Sequence, residues 1–325
     1  MDGSSFATPA VPYSSRPPSP PSISIPAPAL AANSGPIKVV PSYANVDPRD
    51  LTPEALAIIT GGMREQTARD LTGSWNYSER RNAQPILDFL YLGPSNVARD
   101  RDWLRANGIT MLLAVRDVRM AHARLMAVDA VAQELGIQAE HIDADGSSGM
   151  IKALPEAVRM INSHLLQVYH SQAVPDPAAA AGGQATTTTA TKEGSMLINK
   201  QEYKRGKVLV FCETGNDRSP VVVIAYMMAV LGMNMVQACQ FIHYRRFCVS
   251  LSEEVKFLLF TYEGLLNARR TVNQYANTVA PSPAASKGKR YADEINQDEQ
   301  DDGDAQNSRP GLAPFVDSKD TEMDL

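Results

Sequence analysis

The run KVLVFC, residues 207–212, ends on a cysteine; Arg218 follows after five residues, then Ser219 and the apolar stretch PVVVIAYMMAVLG. This order constrains the fold more than any other feature. The first run has strand length; the second is too long for a strand and too short for a bilayer span of about 20 residues, so it reads as a buried helix. Between them lies ETGND. Curled between a strand end and a helix start, its main-chain N–H groups form a cradle for an anion, helped by the positive end of the helix. Gly215 permits the tight curl. Cys212 sits at the base, where such surroundings favour the thiolate. The planar fork of Arg218 suits two oxygens of one phosphate. Ser219 can donate its hydroxyl to the sulfur. A thiolate inside a ring of donors is equipped for nucleophilic attack on phosphorus without a metal or other cofactor.

The preceding chain alternates. ILDFLYLG reads as a strand ending at Gly93, and SNVARDRDWLRANG as a helix capped by Ser95 and closed by Gly108. ITMLLAVR and IQAEHID are further strands, with the helical pattern VRMAHARLMAVDAVAQELG between them. A helix follows, beginning near Pro155, and after the loop come NMVQACQFIHYRRF and SEEVKFLLFTYEGLLNARR. The expected fold is α/β, with a mostly parallel central sheet flanked by helices. The folded body begins near Trp75. Upstream, TPEALAIITGG reads as a short helix with Thr52 as its cap and Pro53 in its first turn.

Eleven prolines lie in residues 1–50, which are expected to be a disordered Pro/Ser-rich tail. Residues 170–200 are of low complexity and read as a disordered insertion. Residues 271–325 form an acidic tail expected to be disordered. From Tyr291 onward eleven acids face Arg309 and Lys319, a net of −9, so a total of −5 leaves about +4 for the rest. That charge is not a nucleic-acid binder's. SKGKRYADE is a short basic cluster, either a nuclear localisation signal or, as so short a cluster more often is, a segment of no function in the tail. Three cysteines suit a reducing compartment, and the start of the chain has no signal-peptide pattern, so a cytoplasmic or nuclear protein with no membrane association is expected. Cys239 shares a helical stripe with Val236 and Ile242 and reads as core; Cys248 reads as buried. Of the five histidines, His141, His164, His170 and His243 lack metal-ligand spacing among them. Arg245 and Arg246 either edge the phosphate pocket or form a solvated helix end, the second reading being slightly favoured.

The segments QPILDFLYLGPSNVARDRDWLRANGITMLLAVRD, HIDADGSSGMI, KVLVFCETGNDRSPVVVIAYMM and RRFC together resemble the dual-specificity phosphatase domain, over about residues 75–270. YRRFCVS after its helix is similar to the serine/threonine/tyrosine-interacting protein group. Low-molecular-weight phosphatases place such a loop after the first strand; here three strands precede it. The resemblance implies a cysteine-dependent protein tyrosine phosphatase fold. It implies catalytic roles for Cys212, Arg218 and Ser219, with Asp145 as general acid and Asp143 as the near alternative. Phosphate binding falls to Glu213, Thr214, Gly215, Asn216, Asp217 and Arg218. It also implies phosphorylated protein partners, MAP kinases and ubiquitin-ligase subunits among them.

Two departures bear on activity. The best-known members of the interacting group have glycine in place of the cysteine that stands here at 212. The active signature has histidine where Phe211 stands, so Phe211 is expected to raise the thiol pKa, and Phe211→His to raise the activity. Glu213 and Asp217 each oppose a thiolate and a dianion, at roughly 2–3 kcal/mol before screening for about 6 Å and an effective dielectric near 20. The expectation is weak Cys-dependent hydrolysis of phosphotyrosine and phosphoserine/threonine esters. The alternative is a catalytically impaired pseudophosphatase that binds phosphorylated partners as a signalling adaptor.

Overall fold

The computed structural model describes residues 22–26, 35–69, 73–121, 127–172, 174–175, 196–197 and 203–278. The chain divides into two units, residues 1–280 and 281–325; the second lies wholly outside the described residues, as do the basic cluster and most of the 170–200 insertion.

Five strands make the central sheet: β3 (Gln84–Leu87), β4 (Leu90–Pro94), β5 (Met111–Asp117), β6 (Gln138–Ala144) and β9 (Val208–Cys212). Their order is β3-β4-β9-β5-β6, with β9 at the centre. β4, β9, β5 and β6 run parallel, and only β3 is antiparallel, paired with β4. Two short antiparallel pairs lie apart from it: β1 (Ile37–Val39) with β2 (Gln66–Ala68), and β7 (Val174–Pro175) with β8 (Met196–Leu197). The helices are α1 (Pro53–Thr60), α2 (Arg101–Asn107), α3 (Asp129–Leu135), α4 (Gly146–His170), α5 (Arg218–Val230), α6 (Met235–Arg245) and α7 (Glu253–Thr278).

Successive strand residues face opposite sides of a sheet. In β9, Val208 and Val210 join the larger core, built with α1 and α4 to α7, whereas Leu209 and Phe211 join the smaller one under α2 and α3. Cys212 therefore emerges on the side where α5 begins. The loop leaves the C-terminal end of the central strand, where parallel α/β sheets bind ligands. Cys239 is fully buried in α6, as its stripe predicts.

Several expectations change. ILDFLYLG is a hairpin, since Asp88 and Phe89 turn between β3 and β4. Asp100, not Ser95, caps α2 by accepting the Trp103 N–H. The helix expected from Pro155 starts at Gly146, nine residues earlier, with Pro155 inside it. The proline loses one backbone bond, but Met150 and Leu154 before it and Ala157, Val158 and Ile161 after it all bury on one face, and that packing holds the helix continuous. The body also begins before Trp75. Val46, Leu51, Leu56 and Ile59 are residues of the larger core, and Ile23 and Ile25 pack against that core. Residues 22–26 and 35–50, within the expected tail, thus have defined places; the other residues of 1–50 lie outside the described residues.

Candidate active site

The loop from Cys212 to Arg218 is fixed from two sides. Within it, Gly215 has φ +74. A Cβ there would lie 2.5 Å from the Gly93 carbonyl carbon and 2.8 Å from the Pro94 nitrogen, so the loop runs directly against β4 and only glycine fits. Beneath it Cys212 is 3% exposed. Its Sγ accepts the Gly215 N–H at 3.2 Å and the Ser219 hydroxyl at 3.1 Å. Burial pushes the thiol pKa up, but the Ser219 hydroxyl and the main-chain N–H groups of Ser219, Asp217 and Arg218 outweigh it, and the thiol is held below its ordinary value. Phe211 was expected to raise this value. It is fully buried on the opposite sheet face, among apolar residues such as Leu112 and Ala114, and plays no part in the loop's hydrogen bonding. The thiolate is favoured by the loop itself.

Arg218 opens α5. Its guanidinium donates through Nη2 to Asp117 Oδ2 at 3.0 Å, at the end of β5. Asp117 also accepts the Arg119 N–H at 2.9 Å and the Arg119 guanidinium at 3.0 and 2.9 Å. These bonds from Arg119, aided by the charge of Arg218, hold the Asp117 carboxyl well below the usual carboxylate range. Sequence reasoning missed Asp117: nothing local distinguishes an acid at a strand end. Asp117 and Arg218 line a hollow of about 280 Å³, with Ala144, Gly146, Ser147 and Asp217.

Asp145 precedes α4 between two of those lining residues, exposed and making no side-chain cap bond. Asp145 itself is not among the residues that line the hollow, although its neighbours Ala144 and Gly146 are. Asp143, on β6, accepts two bonds from Arg116, at 2.6 and 2.7 Å. The carboxylate of Asp217 accepts the Thr214 hydroxyl at 3.3 Å, and Glu213 is exposed. Ser219 is fully buried against the sulfur.

Arg246 corrects the sequence reading most. Expected in a solvated helix end, it is 1% exposed and lies behind the loop. It donates to the carbonyls of Gly215 at 3.1 Å, Thr214 at 3.2 Å, Asn82 at 2.7 Å and Arg80 at 2.9 Å, to Asn216 Oδ1 at 3.0 Å and to Gln84 Oε1. Its neighbour Arg245, half-buried, donates to the Thr67 carbonyl at 2.5 Å. Cys248 donates to Asn216 Oδ1 at 3.3 Å, in a half-buried position.

Residues 184–264 match the profile described as dual specificity phosphatase, catalytic domain, and the Cys–Arg loop lies within that match. Among curated relatives, the chain is similar to the serine/threonine/tyrosine-interacting protein of Mus musculus, 24% identical over 206 residues, spanning 63% of this chain and 74% of the relative. The Homo sapiens protein of that name is 25% identical over 200 residues, spanning 61% and 72%. A solved structure of the human tyrosine phosphatase-like serine/threonine/tyrosine-interacting protein is 25% identical, covering 57% of this chain and 97% of its own, with a TM-score of 0.41.

Proposed function

We propose that this chain acts on phosphorylated proteins as a slow, cysteine-dependent dual-specificity phosphatase. The observation that carries the reading is the Cys212 thiol, held below its ordinary pKa by the Ser219 hydroxyl and the main-chain donors of the loop. In the reaction, the Cys212 sulfur attacks phosphorus and the ester oxygen leaves with a proton from Asp145. Loop N–H groups and Arg218 hold the three remaining oxygens. Water then attacks the phosphocysteine, Asp145 takes its proton, and Ser219 donates to the departing thiolate. No metal takes part. The rate is low because Asp117 already engages the guanidinium of Arg218, and because Glu213 and Asp217 oppose a dianion.

The likeness to the serine/threonine/tyrosine-interacting proteins also favours a second reading, a binding protein that shelters phosphorylated partners. The resemblance nominates MAP kinases and ubiquitin-ligase subunits, met in the cytoplasm or nucleus. Both readings are tested with p-nitrophenyl phosphate and paired phosphorylated and unphosphorylated peptides. The wild type is expected to hydrolyse slowly, Cys212→Ser not at all, and Cys212→Ser to retain phosphopeptides. Equal rates for both proteins at every pH remove the enzyme reading. Binding indifferent to phosphorylation removes both.

A further inference from the structure

Four consecutive carbonyls of the loop are captured from outside. The Glu213 carbonyl accepts both the N–H and the hydroxyl of Ser95, each at 3.3 Å. Arg246 takes the next two, Thr214 through Nη2 at 3.2 Å and Gly215 through Nε at 3.1 Å. The Asn216 carbonyl accepts the Ser250 N–H at 3.0 Å. In a planar trans peptide the carbonyl of one residue and the N–H of the next point in opposite directions. Fastening these carbonyls outward therefore turns the N–H groups of Thr214, Gly215, Asn216 and Asp217 inward. Two of them bear this out: the Gly215 N–H lies 3.2 Å from Cys212 Sγ, and the Asp217 N–H is among the donors to the same sulfur. The Asn216 N–H has the Thr214 hydroxyl oxygen at 3.2 Å.

We propose that Arg246 is the positioning residue of this cradle: from behind the loop it fixes the direction of the donors that meet the phosphate and the Cys212 sulfur. None of its six acceptors is a carboxylate; its buried charge is met by carbonyl and amide dipoles, with the Cys248 and Cys212 sulfurs also acting on it. Three of them, on Arg80, Asn82 and Gln84, anchor the guanidinium away from the loop; the other three lie on the loop. Only the planar, five-donor fork of arginine reaches both groups. For phosphate, this role rests on the reading that the loop receives one; for the thiol it does not.

The test uses the full chain with Arg246→Lys, which keeps the charge and loses the fork, and Gln84→Ala, which removes one anchor. Iodoacetamide alkylation of Cys212 is followed against pH by peptide mapping, and inorganic phosphate binding by calorimetry. In folded Arg246→Lys the midpoint of Cys212 alkylation is expected to rise by about one pH unit and phosphate affinity to fall tenfold or more. Gln84→Ala should move both the same way by less. A folded Arg246→Lys with both values unchanged overturns the proposal. Should that variant fail to fold, an unaltered alkylation profile in Gln84→Ala overturns it instead. A shifted alkylation profile in Arg246→Lys, with no phosphate binding by the wild type, leaves the positioning role standing and removes the phosphatase reading.

Discussion

Replacing Gly215 by alanine is the sharpest perturbation of the loop. The residue has φ +74, a region that costs an L-residue roughly 1–2 kcal/mol. The added methyl would also stand 2.5 Å from the Gly93 carbonyl carbon and 2.6 Å from its oxygen, about 1 Å inside ordinary contact. These are backbone atoms of a central sheet strand, so the loop must give way. Its Gly215 N–H, now 3.2 Å from the sulfur, moves with it. A displacement of about 1 Å at a reacting centre costs on the order of 10²-fold in rate. Gly215→Ala is therefore expected to lower aryl phosphate hydrolysis about a hundredfold and to reduce the unfolding free energy by about 2 kcal/mol or more. Urea unfolding gives the second quantity, steady-state assays the first. A variant with wild-type rate and midpoint would show that the loop does not rest on β4 as described.

Phe211→His, expected from sequence to raise activity, places a polar ring in the smaller apolar core, so it should lose about 1–3 kcal/mol of stability and gain no activity; increased turnover would refute this. Asp117→Asn removes the carboxylate from Arg218 and should tighten phosphate binding up to about tenfold, read by calorimetry; weaker binding would mean that Asp117 assists the ligand instead. His164 is buried between Thr110 and Gln138, each 2.7 Å away; burial lowers its pKa to about 4, opposed only in part by Glu140. Its neutral form is favoured on folding, so stability is full above pH 6.5 and falls as pH drops from 6.5 toward 4. Urea midpoints should show a loss on the order of 2 kcal/mol across that window, after allowance for screening, and His164→Gln should lack it.

The sequence announced the strand–loop–helix at 207–230 because its signals are local: an apolar strand, a glycine in the curl and a long apolar helix. What holds that loop could not be read the same way. Ser95 looks like a helix cap, yet it serves a carbonyl 118 residues away. Arg246 follows the pattern of a solvated basic helix end, because proline-free, charged helix ends usually are solvated; only tertiary packing buries it. Residues 35–50 carry the composition of a disordered tail, but a few well-spaced apolar residues, Ile37, Val39 and Val46, give them a place on the core. Pro155 suggested a helix start because the residues before it carry no strong periodicity, while packing on both sides of it extends α4 to Gly146.

The account stands on a thiolate held ready within an amide ring. Rapid quenching of the wild type with a phosphotyrosine peptide, followed by mass analysis under acid, addresses this directly. A phosphoryl group on Cys212, absent from Cys212→Ser and accumulating in Ser219→Ala, is the predicted result. Product released with no phosphocysteine at any time point, or with the label on another residue, would contradict it.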